Sequence, residues 1–119
     1  MRQTIHASWL PLAALLLGGC AAAVKPDGAD TVRQQLAALQ SDRSLAPLVA
    51  DKLMAAEAAV LMAETPTRDI AGGQHAVFVA QRKIELARSD AERQIAEREL
   101  RALELERQAI ISEGQRQEL

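Results

Sequence analysis

Residues 30–119 predict an all-α fold, an elongated helical hairpin in which a short first helix precedes two antiparallel helices, the last of them long and projecting. Three observations carry that expectation. Apolar residues recur at intervals of three and four, the period of a helix with one buried face. Strong breaks fall at only two places, the cluster Gln40-Ser41-Asp42-Arg43-Ser44 and the tripeptide Thr65-Pro66-Thr67. After Gln74 the chain has no Pro and a single Gly, Gly114, within a run dense in Glu and Arg.

The first helix is expected to start at Asp30 or Thr31. Thr31 and Gln34 have the spacing of a capping box, in which hydroxyl and amide satisfy free backbone donors reciprocally. Val32, Leu36 and Leu39 then share a face. Asp42 or Ser44 can cap the second helix, expected from about Leu45 to Glu64, with Pro47 in its first turn where a missing N–H costs little. Leu45, Leu48 or Val49, Leu53, Ala56, Val60 and Ala63 form its stripe, and Met54, Leu61 and Met62 widen it, so cover on more than one side is expected. Pro66 ends the helix by displacing Thr65 from helical geometry.

Arg68 to Gly73 reads as a connector, because Gly72-Gly73 weakens a helix. The third helix is expected from Gln74. Val77, Phe78, Ile84, Ala87, Ala91, Ile95, Ala102, Leu103 and Ile110 drift along one side, and Glu85–Arg88, Glu97–Arg101 and Glu104–Arg107 have helpful ion-pair spacing. Some 40 residues would make ~60 Å of helix against ~30 Å for the second, so the third must project. Ser89-Asp90 is the place for a break, since Ser89 and Glu92 fit a capping box, but a continuous helix is preferred.

Residues 1–19 have a different character. Arg2 precedes the apolar run Trp9–Leu17, too short to span a bilayer but suited to a signal peptide. The run ends in Leu17-Gly18-Gly19-Cys20, which resembles the lipobox of bacterial lipoproteins. That resemblance implies cleavage before Cys20, a thioether from its thiol to diacylglycerol, acylation of the new amino group, and hence a membrane anchor of more than one chain. Cys20 is the sole cysteine, so no internal disulfide competes for it. Residues 20–29, with Lys25-Pro26-Asp27-Gly28 in the middle, are expected to be a lipidated flexible tether, the nine after Cys20 spanning up to ~30 Å. The lipobox resemblance further implies the periplasmic face of the outer membrane, because Ala21 follows the cysteine where enteric lipoproteins retained at the inner membrane carry Asp.

The stretch from Leu45 to Glu106 resembles an uncharacterised helical domain of Gram-negative envelope proteins, domain of unknown function 4398. The segments that carry the resemblance are Leu45-Ala46-Pro47-Leu48, Lys52 to Val60 and Val79 to Arg88. Such domains often stand between a lipoprotein signal and an OmpA-like peptidoglycan-binding domain. The resemblance therefore implies a helical envelope module with no site residues of its own. It also opens an alternative, a peptidoglycan-associated lipoprotein shortened from an OmpA-like architecture.

Composition narrows the function. Without the leader the chain carries 13 basic and 16 acidic side chains, no electrostatic footprint for nucleic acid. Its apolar content is Ala, Leu, Ile and Val with Phe78 the one aromatic, so the core is thin. No nucleophile elbow, zinc-protease or phosphate-loop pattern occurs, and no catalytic residue, cofactor or metal ligand is assigned. His75 with Glu64 and Asp69 lacks zinc-ligand spacing, and the Glu-rich third helix reads as a solvated face. The alanine stripe suits close packing, either within the hairpin or between chains. The expectation is a non-enzymatic, lipid-anchored spacer or interaction module. Leu103 and Ile110 are its candidate interaction face, a narrow coiled-coil seam for another copy, an envelope protein or a missing downstream segment.

Overall fold

The computed structural model describes residues 22–119. Helix α1 spans Ala29–Ser41, a 3₁₀ turn spans Ala46–Leu48, α2 spans Ala50–Glu64 and α3 spans Ile70–Glu118. The fold is all-α, elongated and dominated by its long last helix, as the sequence predicts. No strand forms among the described residues beyond one isolated antiparallel bridge, Val24 with Thr67.

Helix α1 begins earlier than expected. Gly28 takes the N-cap at φ +88°, a conformation that costs glycine least. Its carbonyl accepts from the Val32 amide at 3.1 Å, and Pro26 O accepts from Ala29 N at 3.2 Å. Ala29 is fully buried in the first turn. Thr31 therefore lies inside the helix, and the Thr31–Gln34 capping box is not used.

The same turn corrects the expected tether from Val24 onward. Val24 and Thr67 exchange both backbone hydrogen bonds at 3.0 Å, and Pro26 lies against Gly73. Residues 24–28 thus dock on the loop between α2 and α3 and on the first turns of α3. The physical reason is the Pro-Asp-Gly turn, which reverses the chain and delivers α1 back along the other helices.

Asp42 ends α1 and organises the next turn. Its carboxylate accepts from Ser44 N at 2.9 Å, Ser44 Oγ at 2.6 Å and Leu45 N at 3.1 Å. Helix α2 starts at Ala50 and not at Leu45. Pro47 sits in a 3₁₀ turn closed by Leu48 N to Leu45 O at 3.0 Å, and Val49 leaves helical geometry at φ −136°. The helix stops at Glu64 before Pro66, as expected.

Helix α3 starts at Ile70, with the glycine pair inside its first turn, not before it. The Asp69 carboxylate caps it by accepting from Gly72 N at 3.0 Å, and the Asp69 amide donates to Thr67 Oγ1 at 3.0 Å. A Cβ on Gly73 would stand 2.8 Å from Pro26 Cγ and 3.0 Å from Thr67 Cγ2, so the glycine is what lets the docked segment approach. The helix runs unbroken through Ser89-Asp90. At 1.5 Å per residue its 49 residues extend for about 74 Å.

Helices α1 and α2 run antiparallel, as do α2 and α3, so α1 makes the hairpin a three-helix bundle. Arg33 meets Glu64, Gln40 meets Glu57, Lys52 meets Asp90, and Gln94 Nε2 donates to Leu48 O at 3.1 Å. The core joins Val32, Leu36 and Leu39 of α1 to Val49, Ala56, Val60 and Ala63 and to Ala80, Ile84, Ala87 and Ala91 of α3. Met54, Leu61 and Met62 do not enter it. Helices α1 and α3 cover two sides of α2, and the third side faces solvent. Phe78 is also exposed and lies beneath the Arg82 guanidinium, 5.4 Å from the ring centre.

Two stability experiments follow from this packing. Leu36→Ala should destabilise the bundle by about 2–5 kcal/mol, the usual cost of emptying a filled leucine site, while Met54→Ala should change it little. Chemical denaturation followed by circular dichroism measures both. Gly73→Ala should lower the thermal midpoint by forcing Pro26 away, whereas Gly114→Ala, with nothing within 4 Å, should raise tail helicity by up to about 1 kcal/mol.

Candidate interaction surface

Leu17, Gly18, Gly19 and Cys20 lie outside the described residues. Val24 follows Cys20 by four positions and is fixed at the end of the bundle where α3 begins. From that end α3 passes the whole bundle and continues beyond it. Ile95 is the last α3 residue packed on the core, and every residue from Ala96 to Leu119 is exposed. The 23 helical residues after Ile95 extend for roughly 35 Å.

The overhang carries Leu100, Leu103, Leu105, Ile110 and Ile111, all exposed. Leu103 and Ile110, the predicted interaction face, are thus open, but they do not continue the bundle-facing side. At about 100° per residue they lie roughly 110–130° around the helix from the line through Ala80, Ile84, Ala87 and Ala91. Ala102, Leu105 and Ala109 continue that line instead. The expected single drifting face resolves into two.

A second apolar surface lies on the bundle. Between α2 and α3, opposite α1, Ala55, Ala58, Ala59, Met62, Ala76 and Val79 line an open trough of about 520 Å³. Small side chains allow the close approach of the two helices and leave the trough shallow. His75 borders it at the first turns of α3, and no group of three metal-ligating side chains forms among the described residues.

Ion pairs lock the helix order. Arg33 of α1 grips Glu64 in two places, Nε to Oε1 at 3.1 Å and Nη2 to Oε2 at 2.6 Å, and its Nη1 reaches Glu57 at 2.6 Å. Lys52 of α2 meets Asp90 of α3 at 2.5 Å, and Arg93 holds the other oxygen of Asp90. Arg33 therefore keeps the Glu57 and Glu64 carboxyls below their usual range, while Lys52 and then Arg93 do so for Asp90. The bonds from Ser44 and Leu45 lower Asp42 in the same way.

These cross-helix pairs were not evident from sequence, because Arg33 and Glu64 are 31 positions apart and meet only through the register of the bundle. Within α3 the ion pairs are Arg82–Glu85, Asp90–Arg93, Arg93–Glu97 and Glu113–Arg116. The pairs Glu85–Arg88, Glu97–Arg101 and Glu104–Arg107 do not form in the structure. Glu85 and Glu97 turn toward the arginine on their N-terminal side instead.

Depressed carboxyl pKa values set the pH dependence. The folded chain holds Glu57 and Glu64 ionised below the ordinary glutamate value of 4.5, so the unfolded chain binds protons first as pH falls. Stability from these pairs is complete above that value and is lost as pH drops through the lower folded values. Thermal melts followed by circular dichroism should show a steady midpoint from about pH 7 to 5.5 and a decline below pH 4.5. Arg33→Ala should lower the neutral midpoint and flatten the acid decline.

No family model, curated protein or solved structure matches this chain.

Proposed function

We propose that the chain is a non-enzymatic, lipid-anchored envelope protein. It is held through Cys20 on the periplasmic face of the outer membrane, and it acts as a spacer and protein-interaction module of the domain of unknown function 4398 type. The observation that carries this reading is the docking of Val24 on Thr67. It ties the segment just after the lipobox cysteine to the end of the bundle from which α3 departs. Four residues from Cys20 to Val24 reach ~13 Å, so the bundle stands close to its anchor.

The exposed end of α3 then stands up to about 74 Å further along the helix. An arm fixed at one end and open at the other suits a protein that bridges from a membrane to something at a distance. No helix among the described residues is long and apolar enough to cross a membrane, so in this reading attachment falls to the acyl chains on Cys20.

Metabolic labelling with palmitate in a Gram-negative host, followed by separation of the membranes, tests the anchor. The natural chain should take up label and appear in the outer-membrane fraction. Cys20→Ser should take up none, and should stay as uncleaved precursor or leave the membrane. Label on the Ser variant, or none on the natural chain, would contradict the reading.

A further inference from the structure

The overhang of α3 has an apolar register of its own. On the bundle, Ala80, Ile84, Ala87 and Ala91 step by four, three and four. Continued past the bundle, that line meets Arg98 and then Ala102, Leu105 and Ala109. A second register begins at this point. Ala96, Leu100, Leu103, Arg107, Ile110 and Gly114 step by four, three, four, three and four, the alternation of a coiled-coil seam. It lies roughly 140° around the helix from the bundle face. The new stripe is therefore no unfinished edge of the bundle but a separate surface.

The flanks of this seam are acidic on both sides. Glu99, Glu106 and Glu113 line one edge, and Glu97, Glu104 and Glu118 line the other, where Ile111 is the one apolar position. Arg98, Arg101 and Arg116 lie on the far side of the helix, and Arg107 alone brings positive charge into the seam. Two copies joined seam to seam would set glutamate against glutamate. A parallel pair brings Glu99 of one chain to Glu104 of the other, and an antiparallel pair brings each acidic edge against itself. Like charges at these flanking positions oppose pairing, and opposite charges select the partner.

We propose that the face of Leu100, Leu103 and Ile110 docks an amphipathic helix of another protein, one whose own leucine-rich seam is flanked by Lys or Arg. The inference rests on the interaction role proposed for the chain and is independent of the lipid anchor. It assigns the partner a charge and excludes a second copy of this chain. The partner's basic flanks would meet both acidic edges, and its apolar seam would cover Leu100, Leu103 and Ile110, three of the five large aliphatic side chains exposed on the overhang.

The test uses two synthetic helical peptides of three heptads with leucine seams, one with Lys at the flanking positions and one with Glu. Fluorescence anisotropy measures their binding to the full chain at about 150 mM salt. The Lys peptide should bind at least about tenfold more tightly than the Glu peptide. Changing Leu103→Ser and Ile110→Ser together should remove that binding, while Leu105→Ser with Ala109→Ser, on the opposite side, should leave it. Glu99→Lys with Glu106→Lys keeps the seam and should weaken the preference for the Lys peptide at least tenfold. Equal binding to the seam variant, no binding of the Lys peptide, or self-association of the chain that the seam variant abolishes would each overturn the proposal.

Discussion

Helices α2 and α3 meet largely through alanine, and the rest of the structure depends on that contact being closed by α1. Ala56, Ala63, Ala80, Ala87 and Ala91 are fully buried between them. Each such methyl removes little apolar surface from water, about 0.8 kcal/mol per carbon, against ~1.5–3 kcal/mol for a buried Leu or Val. The volume comes from elsewhere. The largest fully buried side chains are Leu36, Leu39, Val32, Val49 and Val60, and three of these five belong to the short first helix. A two-helix hairpin of alanines would be close-packed but weakly held. Helix α1 turns it into a bundle, and what positions α1 positions everything: Gly28 at its start, Pro26 on Gly73, and Arg33 across Glu57 and Glu64.

What the sequence made legible was local. The Val32, Leu36 and Leu39 face, the stop at Pro66 and the unbroken run through Ser89-Asp90 all follow from intervals of a few residues. What it hid was set by contacts between distant segments. Gly72 and Gly73 looked like a helix breaker, yet one accommodates the Asp69 cap and the other the approach of Pro26. Lys25-Pro26-Asp27-Gly28 looked like a loose tether because its partner, Thr67, lies some forty positions on. Met54, Leu61 and Met62 looked buried because apolar character alone does not say how many neighbours a helix has.

The two ends of the molecule carry different kinds of information. At one end the lipobox resemblance of Leu17 to Cys20 is chemistry read from residue types, and the docking of Val24 supplies a geometry that suits it. At the other end Leu103 and Ile110 stood out in the sequence as aliphatic side chains beyond the reach of α2, and both are exposed in the structure. Their rotation away from the bundle face was missed, because a one-residue slip between registers is invisible until the buried face of α3 is known. Charge then separates the two surfaces: the bundle face is dry and neutral, the overhang seam is edged with glutamate.

The central claim is that packing ends near Ile95 and that α3 continues beyond it without tertiary support. A lone helix in water is only marginally stable, whatever its propensity, because most helical stability comes from packing. Amide hydrogen exchange resolved along the full chain by mass spectrometry tests this most directly. The account predicts strong protection from Val32 to Ala91 and a steep fall after Ile95, with rapid exchange by Leu103. Protection that stays at the level of the bundle as far as Ile110 in the isolated chain would contradict it.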